Sequence, residues 1–237
     1  MIRVAAVGDV HLGVNAHGLL RSELADLPEH ADVLLVAGDL TRHGTAQEAR
    51  VVAAELSDLG LPVLTVLGNH DHHSGQAEAI TEILEAAGIP VLDGSAQVVS
   101  TRAGDLGVAG VKGFGGGFAG ASGAEFGEQV MKDFVAYSRD HARRLDAALA
   151  GLDGEPRVVL THYSPVPDTL IGERLEIYPF LGSYLLEEVI DRHEVLLALH
   201  GHAHLGSEEG VTAGGVPVRN VARAVIGRPY AVYPVDM

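Results

Sequence analysis

The sequence predicts an α/β domain with its site beyond the carboxyl ends of its strands. Three observations predict it. Five short runs rich in Val and Leu read as buried strands. Segments with helical three- and four-residue spacing lie between the early runs. Each of the five runs ends in Asp, Asn or His, side chains that coordinate metals. In open α/β sheets, ligands bind just outside the strand carboxyl ends, so the five ends converge on one place. A chain of 237 residues is within reach of one large domain, and a single domain over 1–237 is expected.

The run Val4–Gly8 delivers Asp9 and His11, and Val33–Gly38 delivers Asp39. Over Thr45–Leu59, the spacing of Val51, Val52, Glu55, Leu56 and Leu59 predicts a helix. Val63–Gly68 leads to Asn69, His70 and Asp71. Ser74 is a candidate N-cap for a helix over Gln76–Ala87, which Gly88 and Pro90 end. Strands follow over Gln97–Thr101 and Leu106–Val111.

The next stretch, Gly113-Phe114-Gly115-Gly116-Gly117-Phe118, has the composition to cradle a phosphate on backbone N–H groups. It lacks the Lys-Ser/Thr ending of a P-loop, so a flexible turn is the better reading. Phe114 and Phe118 suit a site mouth or the core equally well. Glu125–Ala150 reads as a long helix, whole or interrupted, and Val158–Thr161 leads to His162. The segment Tyr163–Gly182, with Pro165, Pro167 and Pro179, is a candidate substrate rim. It offers Tyr163, Arg174, Tyr178 and Phe180 to a base or aryl group. Tyr184–Arg192 reads as a helix, and Val195–Gly201 leads to His202 and His204. The late strands Val216–Val221 and Ala231–Val235 are expected to pair in a second sheet.

Composition narrows the chemistry. There is no Cys, so disulfides and thiolate ligands are excluded and every metal ligand is O or N. The formal charge of −16, from 16 Lys+Arg against 32 Asp+Glu, repels nucleic-acid backbone and anionic membranes. That argues against a duplex-binding nuclease. It leaves small anionic substrates open, because bound divalent cations reverse the sign locally. No run approaches ~20 apolar residues, and Met1-Ile2-Arg3-Val4 enters a strand with no secretory apolar region. A soluble cytoplasmic protein is expected. Lys112 and Lys132 are the only lysines, which reads as compositional bias.

In chain order the strand-end blocks are Asp9-Val10-His11, Gly38-Asp39, Gly68-Asn69-His70-Asp71, His162 and Gly201-His202-Ala203-His204. Singly they mean little, since Gly-Asp and Gly-Asn are ordinary turn pairs. Together, from Asp9 to His204, they resemble the calcineurin-like metallophosphoesterases. The resemblance implies a four-layer αββα sandwich of two mixed β-sheets flanked by helices; periodicity alone also allows a doubly wound sheet. It implies two metal ions (Mn, Fe or Zn), with Asp39 as the bridging ligand. Asp9, His11 and His204 complete the first ion's shell, and Asn69, His162 and His202 the second's. It implies a metal-bridging hydroxide as nucleophile, and His70 as the contact to phosphate and leaving group. Asn69 ligates without adding charge, so two cations, two carboxylates and one hydroxide leave about +1 to attract phosphate.

One position departs from the family pattern. Protein phosphatases of this family carry an Asp three residues after the bridging Asp, supporting the histidine that matches His70. Here it is Arg42. That argues against a protein phosphatase and weakens a cyclic-nucleotide assignment; Arg42 is instead expected to meet substrate phosphate or a nearby carboxylate. The expected activity is hydrolysis of a small phosphodiester. The alternatives are a phosphomonoesterase, a nucleotide pyrophosphohydrolase, or a protein-binding scaffold, the last disfavoured by the complete ligand set. Among the other histidines, His43 lies near a motif block. His200 is expected in the core or supporting the ligands, and His72 and His73 on a solvated loop. His17, His30, His141 and His193 are expected at the surface.

Overall fold

A computed structural model describes residues 1–236. The chain begins with β1 (Ile2–Val7), passes through the short helices α1 (Leu19–Glu23) and α2 (Leu27–His30), and returns as β2 (Val33–Ala37). Then α3 (Ala46–Leu56), β3 (Val63–Val66) and α4 (Ala77–Ala86) keep the alternation. β4 (Ser95–Thr101) and β5 (Gly104–Val111) form a hairpin, followed by the short pair β6 (Gly117–Phe118) and β7 (Ala121–Ser122). The long α5 (Gln129–Ala150) precedes β8 (Arg157–Thr161), α6 (Tyr178–Leu181), α7 (Tyr184–Arg192) and β9 (Val195–His200). β10 (Glu209–Val211), β11 (Pro217–Asn220), α8 (Arg223–Ile226) and β12 (Ala231–Val235) close the described chain.

Two mixed sheets form the centre. One has the order β12-β1-β2-β3 and the other β10-β11-β9-β8-β5-β4. Side chains alternate across a strand, and here both faces are covered. Val4, Ala6, Leu35 and Leu64 of the first sheet meet Val108, Val158, Leu160 and Leu199 of the second. On the first sheet's outer face, Ala5, Val7, Leu34 and Val36 lie under Leu20, Val52, Leu56 and Leu84 of the helices. On the second sheet's outer face, Ala109, Val111 and Val159 lie under Leu145 and Leu149 of α5 and Leu186 of α7. The result is four layers, αββα. Burial on both faces is why the strands are near-continuous apolar runs instead of alternating ones. The parallel strands β1, β2 and β3 run together, as do β5, β8 and β9, so each set ends at one edge of its sheet.

Four expectations need correction. The late strands do not pair with each other: β11 lies between β9 and β10, whereas β12 runs antiparallel to β1 in the other sheet. Apolar pattern identifies a strand but not its partner. Ser74 is not an N-cap. Its hydroxyl donates to His43 O at 2.6 Å, and Gln76 takes the cap position of α4 without a side-chain bond. The long helix starts at Gln129 and is unbroken. His141 is buried, only 2% exposed, and packs edge-on against Tyr137. Among the described residues no helix is long and apolar enough to cross a membrane.

Candidate metal centre

The site begins where strands stop. Asp9, His11, Asp39 and His202 all adopt positive φ, at 58°, 44°, 51° and 70°. Asp58 is the only other non-glycine residue to do so among those described. That backbone region is costly for residues with a Cβ, and such strain collects at functional sites. The chain leaves each strand abruptly and turns its side chain into the gap between the sheet edges. Two glycines permit the approach. A Cβ on Gly68 would collide with Asp39, and one on Gly201 with Asp9.

Two groups of side chains result. Asp9, His11, Asp39 and His204 offer ligand atoms all within 4.8 Å of one another, and so do Asp39, His162 and His202. Asp39 belongs to both. Asn69 joins the second group, its Oδ1 lying 2.9 Å from His162 Nε2. The ring of His70 lies 4.5 Å from that of His11. Every candidate ligand from the sequence, and His70, therefore meets in one place.

The surroundings orient several of the candidate ligands. His162 Nδ1–H donates to Ala37 O at 2.9 Å, which turns Nε2 inward. His202 Nε2–H faces Phe180 O at 3.2 Å, which leaves Nδ1 for the centre. Asp9 accepts the backbone N–H of His202 at 2.9 Å, and Asp39 that of His70 at 2.8 Å. Asp71, fully buried, accepts from Thr41 N, Thr41 Oγ1, Leu40 N and Gly68 N. It ties the loop after β2 to the loop after β3. Burial pushes its carboxyl up to about 6.

The donor set fits metal. It is all N and O, with carboxylate, amide and imidazole mixed. His11 Nε2 is buried with no hydrogen-bond partner, an orphan atom beside Asp39 Oδ2 at 3.7 Å. Burial lowers His11 and holds His202 down to about 3, so both imidazoles stay neutral, as ligation requires. Burial opposes ionisation of Asp9, yet the hydrogen bond from His204 and the charge of His162 hold it below the usual carboxylate range. His204 is raised by that same bond, 2.8 Å long.

The position of Arg42 is instructive. His70 Nδ1–H donates to the Arg42 backbone carbonyl at 2.9 Å. The support expected from an Asp side chain comes from the main chain, which any residue provides. The Arg42 side chain is exposed and forms no ion pair among the described residues, so the expected carboxylate partner is not there. It lines a cavity of about 920 Å³ together with His11, Asn15, His43 and Arg223.

Other expectations fare unevenly. Tyr163 is buried, 6% exposed, and lies 4.4 Å from the His202 ring, so it packs behind the ligands and not on a rim. The Tyr178 hydroxyl donates to Leu170 O. Arg174 and Phe180 are exposed, and only this outer part of Tyr163–Gly182 can form a rim. The Gly-rich loop is a packed strap. Gly116 N–H and Gly117 N–H donate to Pro179 O and Gly182 O, so neither is free for phosphate. Phe118 packs with Leu170, Leu181 and Ala203, while Phe114 is half-buried against Tyr163. His200 is fully buried, 2.7 Å from Thr169 Oγ1, and His72 and His73 are exposed.

Compositional bias, the reading the sequence suggests for Lys112, misses its place in the structure. Lys112 follows Val111 at the end of β5, directly beside His162, whose backbone N–H it accepts at 3.0 Å. The signal was present: β5 is a sixth strand ending in a polar side chain at the ligand edge.

Comparison with known proteins agrees with this geometry. The family model described as calcineurin-like phosphoesterase matches residues 2–206. A probable cyclic nucleotide phosphodiesterase from Synechococcus sp. is 26% identical over 88% of this chain and 76% of its own. The DNA double-strand break repair protein Mre11 of Aeropyrum pernix is 33% identical over 37% of this chain, and the matched part spans only 25% of that protein. Among solved structures, phosphopantetheinyl hydrolase from Mycobacterium tuberculosis superposes with a TM-score of 0.72 at 15% identity, covering 98% of this chain and 96% of its own. TT1561 of Thermus thermophilus gives 0.59 at 17% identity, covering 99% of each chain. At these identities the structures speak for the fold alone. The family match, spanning β1 to β9 and every candidate ligand block, is decisive: the chain belongs to the calcineurin-like phosphoesterases, metal-dependent hydrolases of phosphoric esters.

Proposed function

We propose that the chain hydrolyses a small phosphodiester at a pair of metal ions, drawn from Mn, Fe and Zn. The observation that carries the reading is the sharing of Asp39 between two ligand groups. One carboxylate has two oxygens and can serve two ions at once. Asp9, His11 and His204 would complete one site, and Asn69, His162 and His202 the other. Bound metals supply an activated water near neutral pH and neutralise charge on the phosphoryl group.

The chain's own residues do the rest. The hydrogen bond to the Arg42 carbonyl leaves His70 Nε2 as the ring nitrogen able to meet a phosphoryl or leaving-group oxygen. The deep burial of Asp39 and His162 keeps bulk water from competing for the centre. Two cavities adjoin the ligand loops: one of about 920 Å³ reaches His11, the other, of about 420 Å³, is lined by Leu67 and His72 on either side of the Asn69-His70-Asp71 block. Two spaces beside one centre suit the two organic arms of a diester. The match to a probable cyclic nucleotide phosphodiesterase supports the same class. The formal charge of −16 disfavours duplex nucleic acid as substrate.

The test compares bis-p-nitrophenyl phosphate with p-nitrophenyl phosphate on Mn²⁺-loaded protein, with a chelated control. Faster, metal-dependent cleavage of the diester is expected. Faster monoester cleavage would make the protein a phosphomonoesterase. No cleavage of either by metal-loaded protein would return the binding-scaffold alternative.

A further inference from the structure

Lys112 is only 6% exposed, yet its ammonium makes no hydrogen bond or ion pair among the described residues. Three rings surround it, those of Phe114, Tyr163 and Tyr137, at 5.1, 5.2 and 5.4 Å from Nζ to the centroid. Cation–π attraction holds the charge in place. Rings accept no strong hydrogen bond, so three N–H donors remain unused. The side chain is buried, but the ammonium tip keeps access to the adjoining cavity.

The unused donors have somewhere to point. Among the described residues, Lys112 is the only Lys or Arg lining the cavity of about 420 Å³ beside the loop after β3. Asp93, also lining it, is engaged by Arg144 at 2.7 Å, and Glu78 and Glu82 sit on the exposed face of α4. The field at Lys112 is set chiefly by Asp93 and by the shared ligand Asp39, which places the ammonium within electrostatic reach of the centre.

We propose that Lys112 anchors a second anionic group of the substrate, a carboxylate or phosphate on one arm of the phosphoester, inside this cavity. The assignment rests on the phosphoester reading above and narrows it. The substrate carries one anionic group besides the ester that is cleaved. Glu78 and Glu82 disfavour further negative charge on that arm. The tyrosine and phenylalanine rings limit water on one side of the ammonium, which strengthens its bond to an acceptor arriving from the cavity.

The experiment titrates Mn²⁺-loaded protein calorimetrically with two series of equal chain length: alkylphosphonates, and phosphonates ending in a carboxylate (phosphonoacetate, 3-phosphonopropionate, 4-phosphonobutyrate). The phosphonate end addresses the metals in both. At one spacer length the carboxylated compound is expected to bind wild type at least tenfold more tightly, the scale of a charge-assisted hydrogen bond. Lys112→Met is expected to lose that advantage, to retain alkylphosphonate affinity, and to melt no lower than wild type, since Met keeps the buried stem and the ammonium makes no hydrogen bond to the protein. Absence of a carboxylate advantage in wild type, or its persistence in Lys112→Met, overturns the assignment while leaving the phosphoesterase reading intact. A variant that melts well below wild type also overturns it, by making Lys112 a packing element. Failure of every phosphonate to bind metal-loaded protein sinks both readings together.

Discussion

At the scale of single residues, the proposed reaction divides the site into groups that would meet the substrate and groups that hold them still. In the proposed mechanism His70 is of the first kind: its ring stands beside His11 and its Nδ1 is fixed by a backbone carbonyl. His70→Ala should leave metal content unchanged, measured by elemental analysis, and lower kcat by roughly 10²–10⁴-fold. Unchanged turnover would remove His70 from the chemistry. Asp71 belongs to the second kind. Its two oxygens accept four donors from two loops, so Asn at this position turns an NH₂ group against at least one backbone N–H. Asp71→Asn should destabilise the fold by about 1–3 kcal/mol, the usual cost of a lost buried hydrogen bond, read as a lower urea midpoint with unchanged slope. The convergence of the candidate ligands was legible in the sequence because each follows an apolar run in a fixed order. The support of His70 was not, because a main-chain carbonyl leaves no trace in residue identity. Lys112 was visible but discounted, since nothing in a linear pattern shows that an ammonium will lie buried among three rings.

At the scale of elements, legibility depended on whether the signal was local. The helix α3 was readable from its spacing, and its start is built as a capping box: Thr45 Oγ1 accepts Glu48 N–H, and Glu48 accepts Thr45 N–H in return. Thr45→Ala should cost about 1 kcal/mol, visible as a small drop in melting temperature with metal affinity unchanged. The pairing of β12 with β1 was not readable, because its partner lies more than two hundred residues away in sequence and either sheet could have accepted it. Short α1 was missed for a related reason: Glu55 of α3 satisfies its first backbone donors, including Arg21 N–H at 2.8 Å, so its stability comes from a distant side chain. The start of β2 carries a pH-sensitive tie. Asp32 accepts from Arg3 Nε, Nη2 and N, and these bonds hold its carboxyl below the usual carboxylate value. A depressed folded pKa stabilises fully above the unfolded value, about 3.9, and the contribution is lost as pH falls through the folded value. Asp32→Asn should therefore flatten the acid limb of stability against pH below about 4. An acid limb with the wild-type slope would place the effect elsewhere.

At the scale of the whole molecule, the αββα arrangement explains why one centre can draw on both sheets. Asp9, Asp39 and Asn69 come from the ends of β1, β2 and β3, and His162 and His202 from the ends of β8 and β9 in the other sheet. Ions held there would cross-link the two sheets as well as serve the chemistry. Without metal the same gap holds two close carboxylates in a chain already at −16. A ligand that binds only the folded state adds about 2.7 kcal/mol at a hundredfold excess over its Kd. For a chain of this size each 1 kcal/mol shifts Tm by roughly 2–4 °C. Chelation should therefore lower Tm by about 5–10 °C, and Mn²⁺ should restore it. Monovalent salt at equal ionic strength should not, because screening relieves surface repulsion but cross-links nothing. Asp39→Asn should erase most of the Mn²⁺-dependent increment, since the group it alters belongs to both ligand sets. An increment that survives in that variant, or one that sodium chloride reproduces, would mean that Asp39 does not join the two halves of the centre, and that the sheets are held together without it.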